Sequence, residues 1–151
     1  MEITTKSAKE TKKFGRKISA ELKGGEILAL SGDLGSGKTT FVQGLAEGLG
    51  IDARIVSPTF IIMRRYKVPW AKSSRVIEYL YHIDLYRLEG EVGSELVNLG
   101  VSDILGKKEN VVVIEWAEKA KDMYPDGTSW LRFTNTGEYI RKISPRNIKL
   151  K

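Results

Sequence analysis

Apolar residues recur at Phe14, Ile18 and Leu22, four apart, behind the sequence Ser7-Ala8-Lys9-Glu10. Fourfold spacing puts all three on one face of a helix, and a serine three residues ahead of a glutamate has the form of a capping box. Together they predict an amphipathic helix that runs to the break at Gly24-Gly25. Past the break the pattern changes. Ile27-Leu28-Ala29-Leu30 is short, apolar and unalternating, as expected of a parallel strand buried on both faces. A glycine-rich loop follows. Then Phe41, Val42, Leu45 and Leu49 return to helical spacing, with Gly50 placed to end that helix in the left-handed conformation.

The second half alternates shorter signals. Arg54-Ile55-Val56 reads as a strand entering Ser57-Pro58-Thr59, with Phe60 to Met63 as its continuation. The basic stretch from Arg64 to Arg75, which contains Pro69, reads as a loop or hairpin turn before a strand-like run from Val76 to Ile83. Glu95, Leu96 and Val97 fall in a short helix ending at Gly100, and Ser102 to Leu105 form another turn. Val111-Val112-Val113-Ile114 is β-branched throughout and is expected as a central strand. Trp130 to Phe133 and Tyr139 to Ile143 flank Asn135-Thr136-Gly137, the pattern of a C-terminal hairpin. This order predicts an α/β fold of three layers, a mostly parallel central sheet with an antiparallel C-terminal hairpin. At 151 residues, 1–151 is expected to form a single domain.

Composition narrows the class without naming a function. An apolar fraction of 41% and a charged fraction of 29% are ordinary for a globular chain and argue against disorder. No apolar run approaches the roughly 20 residues that span a bilayer. The N-terminus lacks the basic-then-apolar order of a secretory signal and the chain has no cysteine, so a cytosolic location is expected. The net charge of +6 suits a polyanion such as RNA, but also a nucleotide site or merely a solvated surface.

The chemistry concentrates in four places. Gly32-Asp33-Leu34-Gly35-Ser36-Gly37-Lys38-Thr39 fits G-x-x-x-x-G-K-[ST], between a predicted strand and a predicted helix. Glycines let backbone N–H groups face phosphate oxygens, the lysine reaches the outer phosphates of ATP, and the Thr39 hydroxyl suits Mg²⁺. Such a site also needs a carboxylate on a neighbouring strand end, and Glu115 after Val111–Ile114 has that placement. Asp84, after Tyr79 to Ile83, is a second acid that could orient a water or a metal-bound water. His82, the sole histidine, reads better as a hydrogen-bonded structural residue than as a proton carrier. Ser57-Pro58-Thr59 offers two hydroxyls on a proline-fixed turn. Arg87 would pair with phosphate or with a carboxylate, and Trp116 reads as packing in preference to stacking.

Taken in order, the glycine loop through Thr40, Ser57-Pro58-Thr59-Phe60, His82-Ile83-Asp84-Leu85-Tyr86-Arg87-Leu88 and Ile114-Glu115-Trp116 resemble the bacterial ATPase family of tRNA threonylcarbamoyladenosine biosynthesis, TsaE, formerly YjeE. The resemblance spans nearly the whole chain. It implies that the loop from Gly32 to Thr40 holds ATP, that Thr39 and Glu115 bind Mg²⁺, and that Asp84, Glu115 and Thr59 support hydrolysis. It also implies two partners, TsaB and TsaD, the latter transferring threonylcarbamoyl to adenosine 37 of tRNAs that read ANN codons. ATP turnover, weak in isolation, would reset or drive that complex, with tRNA reached through it. Two departures stand out: Ser36 where alanine is frequent, and a longer, more basic segment over 66–76.

Three rival readings follow from the same residues. A small GTPase is disfavoured because the chain has no N-K-x-D segment to read guanine. A small-molecule kinase would need an arginine-bearing lid, for which Arg64, Arg65 and Arg75 are candidates. A nucleotide-gated binding module would need no hydrolysis. The segment from Thr5 to Thr11 and Arg141 are candidates for the neighbourhood of the base.

Overall fold

A computed structural model describes residues 2–56, 61–69 and 76–148. Its centre is a seven-stranded mixed sheet in the order β1-β7-β6-β2-β5-β4-β3, with β1 Ile3–Thr5, β2 Ile27–Gly32, β3 Met63–Lys67, β4 Tyr79–Asp84, β5 Asn110–Glu115, β6 Ser129–Asn135 and β7 Arg141–Arg146. The four central strands β6, β2, β5 and β4 run parallel, and the outer pairs are antiparallel. The sheet is therefore mixed, parallel where it is covered on both faces and antiparallel toward its edges.

The central strands bury every side chain they can. All six residues of β5 are buried, which explains the unbroken apolar run in its sequence. Two hydrophobic cores lie on opposite faces, giving three layers. On one face α1 (Ala8–Glu21) and α2 (Lys38–Gly48) cover Leu28, Leu30, Val111, Val113 and Leu131. On the other, Val92 and Leu96 of α3 (Val92–Asn98), Val101 of α4 (Val101–Ile104), and Ala117 and Ala120 of a 3₁₀ helix (Ala117–Met123) cover Ile27, Ala29, Val112 and Ile114.

The C-terminal hairpin forms as expected, with β6 and β7 paired from Trp130–Arg146 to Asn135–Arg141. Helix α1 ends at Glu21, and its cap differs slightly from a full box. Ser7 Oγ accepts from the Glu10 N–H at 3.1 Å, while the Glu10 carboxylate accepts from Lys6 N instead of Ser7 N.

Several expectations are corrected. Arg54-Ile55-Val56 is not a strand. Ile55 is a lone buried anchor whose carbonyl accepts from Gln43 Nε2 at 2.9 Å, so a side chain satisfies backbone that a ladder would have satisfied. The basic run read as a loop begins as a strand, because β3 is an edge strand and its outward positions tolerate Arg64, Arg65 and Lys67 while Tyr66 packs inward. Its ladder partner β4 starts at Tyr79, later than Val76. Val101–Ile104 is one helical turn where a plain turn was expected. β1 and the 3₁₀ helix had no usable signal, the first because three residues carry no periodicity.

Helices α1 and α2 approach through glycine. A Cβ added at Gly44 would stand 2.1 Å from the Lys12 carbonyl oxygen, and one at Gly15 would stand 2.4 Å from that of Phe41. Gly44→Ala is therefore expected to lower stability by about 1–3 kcal/mol, since forced overpacking outweighs the roughly 1 kcal/mol that alanine gains as a helix former. Gly93→Ala in α3, where an added Cβ meets nothing within 4 Å, is expected to raise stability by up to about 1 kcal/mol. Urea unfolding midpoints of the two variants check both signs.

Candidate functional site

β2 and β5 lie side by side, yet their following connections go to opposite faces: α2 to one core and the 3₁₀ helix to the other. A crevice at the carboxyl ends of such strands is where open α/β sheets bind ligands. Here it is a cleft of about 310 Å³, at the lower end of small-molecule pockets.

The loop from β2 to α2 shapes its floor. Gly32 has φ 135° and an added Cβ would stand 2.3 Å from the Phe133 carbonyl oxygen, so only glycine lets β2 end this close to β6. Gly37, with φ 102°, is the residue just before α2 and turns the backbone so that the helix begins at Lys38. The helix N-terminus carries partial positive charge and unpaired N–H groups toward the cleft.

Leu34, Gly35, Ser36, Gly37, Lys38, Thr39, Thr40, Asp84 and Glu115 all line this cleft. Gly32 and Asp33 do not line it, and their carbonyls accept from Lys38 Nζ at 2.5 and 2.8 Å. The third lysine partner is Ser36 Oγ at 3.2 Å. Lys38 Nζ also lies 4.3 Å above the Trp116 ring. Burial pushes the Lys38 ammonium below its ordinary value, opposed by the carboxylates of Glu115, Glu118, Asp84 and Asp33.

α2 and β5 meet at Thr39, whose Oγ1 donates to Glu115 Oε1, 76 residues on, at 2.8 Å. The other carboxylate oxygen, Oε2, is 2.5 Å from His82 Nε2. Glu115 and His82 are both buried, so the expectation that His82 is a hydrogen-bonded residue agrees with its surroundings. Asp84 stands beside Glu115 in the β4–β5 ladder and its Oδ1 accepts from the Tyr86 N–H at 2.9 Å. Thr59 and the rest of Ser57-Pro58-Thr59 lie outside the described residues.

Trp116 does more than pack. It adopts φ 56°, uncommon for a bulky residue, and its half-buried ring lines the cleft 5.1 Å from that of Tyr86. Ser7, Ala8, Thr11 and Arg141, in the segments weighed for the neighbourhood of a base, line the far side with Tyr139. Arg87 is exposed and does not line the cleft. Neither do Arg64 and Arg65, which are held in β3, while Arg75, the third residue considered for a lid, lies outside the described residues. Sequence reasoning missed Tyr86 and Tyr139, which line the cleft, and Glu118, which does not line it but whose charge acts on Lys38. Burial raises the Glu118 carboxyl, against its own backbone N–H, Lys38, the Gly32 N–H and Lys119. A glutamate three residues past Glu115 at the exit of an apolar strand was the one available signal.

A mixed α/β sheet with a glycine loop and an acidic strand end sharing one cleft defines the class, and comparison with known proteins gives the family. The model of the family described as "Threonylcarbamoyl adenosine biosynthesis protein TsaE" matches residues 5–143, and the chain belongs to that family. It is 37% identical over 140 residues to the tRNA threonylcarbamoyladenosine biosynthesis protein TsaE of Bacillus subtilis, covering 93% of this chain and 81% of that one. The protein of the same name from Treponema pallidum is 35% identical over 144 residues, covering 95% and 98%. The crystal structure of YdiB from Bacillus subtilis superposes with a TM-score of 0.71 at 32% identity, covering 95% of this chain and 82% of that one. No helix among the described residues is long and apolar enough to cross a membrane.

Because Lys38 is held below its ordinary value of 10.5, the unfolded chain binds more protons than the folded one between the two values. Stability from this group therefore rises with pH through the window that ends near 10.5. Urea stability of the wild type measured across the alkaline range should climb more steeply than that of Lys38→Met. Parallel curves would mean that Lys38 titrates alike in both states.

Proposed function

We propose that this chain is a P-loop NTPase that binds ATP with Mg²⁺ and hydrolyses it weakly, in support of threonylcarbamoyl transfer to adenosine 37 of tRNA. The observation that carries the reading is the hydrogen bond from Thr39 to Glu115, which joins the loop threonine to a strand-end carboxylate under the mouth of one cleft. The donor set fits a hard divalent cation, since it offers a hydroxyl and carboxylate oxygens and no sulfur or free imidazole. Lys38 fits phosphate in the same way: its three present partners are loop carbonyls and a hydroxyl, which an anion with more charge would outcompete.

In this reading the loop N–H groups and the N-terminus of α2 bind the phosphates, with Lys38 turned outward to the β and γ positions. Thr39 and Glu115 are the residues that would hold Mg²⁺, which when bound would supply charge neutralisation at the phosphates. Asp84, adjacent to Glu115 and lining the cleft, would orient the attacking water. Thr59 senses the terminal phosphate from a segment outside the described residues. Partners are the TsaB and TsaD proteins of the pathway, with tRNA engaged through the complex in the cytoplasm. The family membership and the names of the relatives support this setting.

Lys38→Ala is expected to weaken ATP binding about 10- to 100-fold, the loss of a charge-assisted contact of roughly 1.5–3 kcal/mol. Unchanged affinity by calorimetry would mean that the loop is not the site. Asp84→Ala should leave ATP affinity within about twofold and reduce turnover by an order of magnitude or more, as expected of a group acting on the attacking water. Hydrolysis by the wild type, alone and with TsaB, TsaD and tRNA, tests the wider reading. Stimulation that Glu115→Ala abolishes is the expected result, and partners that leave turnover unchanged would overturn it.

A further inference from the structure

The mechanism above leaves His82 without a task, yet it is one of the most enclosed polar groups in the protein. Its ring is completely buried, and its Nε2 lies 2.5 Å from Glu115 Oε2. Nδ1, equally buried, has no hydrogen-bond partner among the described residues. An unsatisfied buried nitrogen costs stability. A hydrophobic residue of similar size would avoid that cost, because the neighbours on β4 and β5 are apolar core residues such as Leu80 and Val113. Such a residue would, however, leave the buried Glu115 Oε2 without this partner, so the evident use of the imidazole is its contact with Glu115.

We infer that His82 is a positioning residue that locks the Glu115 carboxylate in the rotamer that presents Oε1 to Thr39, building the cation site before any cation arrives. A carboxylate can only accept, so Nε2 donates its N–H to Oε2. The bond is diagonal across the ladder: His82 pairs with Val113, and Glu115 pairs with Asp84. It therefore spans two adjacent parallel strands, and its geometry is set by sheet register instead of by a mobile loop. With Oε2 held by His82 and Oε1 by Thr39, the carboxylate has both ends fixed and no freedom to rotate out of the cleft. A ligand held this way loses less entropy on coordination, and partners behind metal ligands commonly change metal affinity by about 10- to 100-fold.

This inference rests on the proposed Mg²⁺ and ATP site, and the test separates the two. The probe is adenylyl imidodiphosphate, a non-hydrolysable ATP analogue, titrated calorimetrically with excess Mg²⁺ and again with EDTA. The ratio of the two affinities is the metal-dependent increment. His82→Leu fills the space but has no N–H, whereas His82→Gln can place an amide N–H near the position of Nε2. The expected result is that Leu lowers the increment about 10-fold or more with EDTA affinity unchanged, and Gln restores most of it. An increment that survives in Leu, or a Leu variant that loses affinity equally with and without Mg²⁺, overturns the positioning role and leaves His82 a packing residue. Should the Leu variant fail to fold, His82→Met, which likewise fills the space without an N–H, takes its place: a lowered increment supports the role and an unchanged one overturns it. If the wild type itself shows no increment, the cation site falls and this inference falls with it.

Discussion

A carboxylate at the end of a fully apolar strand is the constraint around which the cleft is organised. Glu115 is 2% exposed, and an unpaired charge so placed would cost several kcal/mol or force the group to take up a proton. Its neighbours offset that cost in complementary ways. Thr39 donates to one oxygen, His82 meets the other, and the Lys38 charge stands close enough to feel it. Thr39 and Lys38 come from α2 and His82 from β4, so α2, β4 and β5 must be correctly assembled before the carboxylate is satisfied. The site and the fold are in this sense the same set of contacts.

Close backbone packing does the assembly. Gly32 lets β2 end against β6, and Gly15 and Gly44 let α1 and α2 cross with backbone nearly touching backbone. The second contact seats α2 on the sheet at a fixed height, which sets where its first residues, Lys38 and Thr39, stand relative to Glu115. Adding one methyl group at such a crossing displaces backbone instead of a flexible side chain. Errors there would be transmitted to a site whose hydrogen bonds tolerate only a few tenths of an ångström.

The cleft also mixes strongly polar chemistry with aromatic surface. Trp116, Tyr86 and Tyr139 line it beside the loop, and the left-handed backbone at Trp116 turns the ring out of the strand direction toward Lys38. A cation over an indole face and a buried lysine with backbone partners are two ways to hold a positive charge in place while no anion is present. Ser36 adds a third. The loop is thus preorganised through its own groups, which reduces the cost of ordering it on binding.

Much was legible in the sequence where a pattern is local. The loop glycines, Lys38 and Thr39 sit within eight residues, and strand-then-helix periodicity on either side is visible without any tertiary contact. Val111 to Ile114 announced a central strand because burial on both faces demands an unbroken apolar run. The edges were less legible. β3 carries Arg64, Arg65 and Lys67 because an edge strand faces water, so its composition imitates a loop. Ile55 is apolar because it is buried, and its backbone needs no ladder because Gln43 satisfies it. By itself the sequence determined the glycine-rich loop between strand and helix and the acids that end two buried strands. Only the tertiary structure decided that Thr39, 76 positions away from Glu115, donates to it, and that His82 stands behind that carboxylate. The physical reason is that sheet register, not sequence distance, brings those atoms within hydrogen-bonding reach.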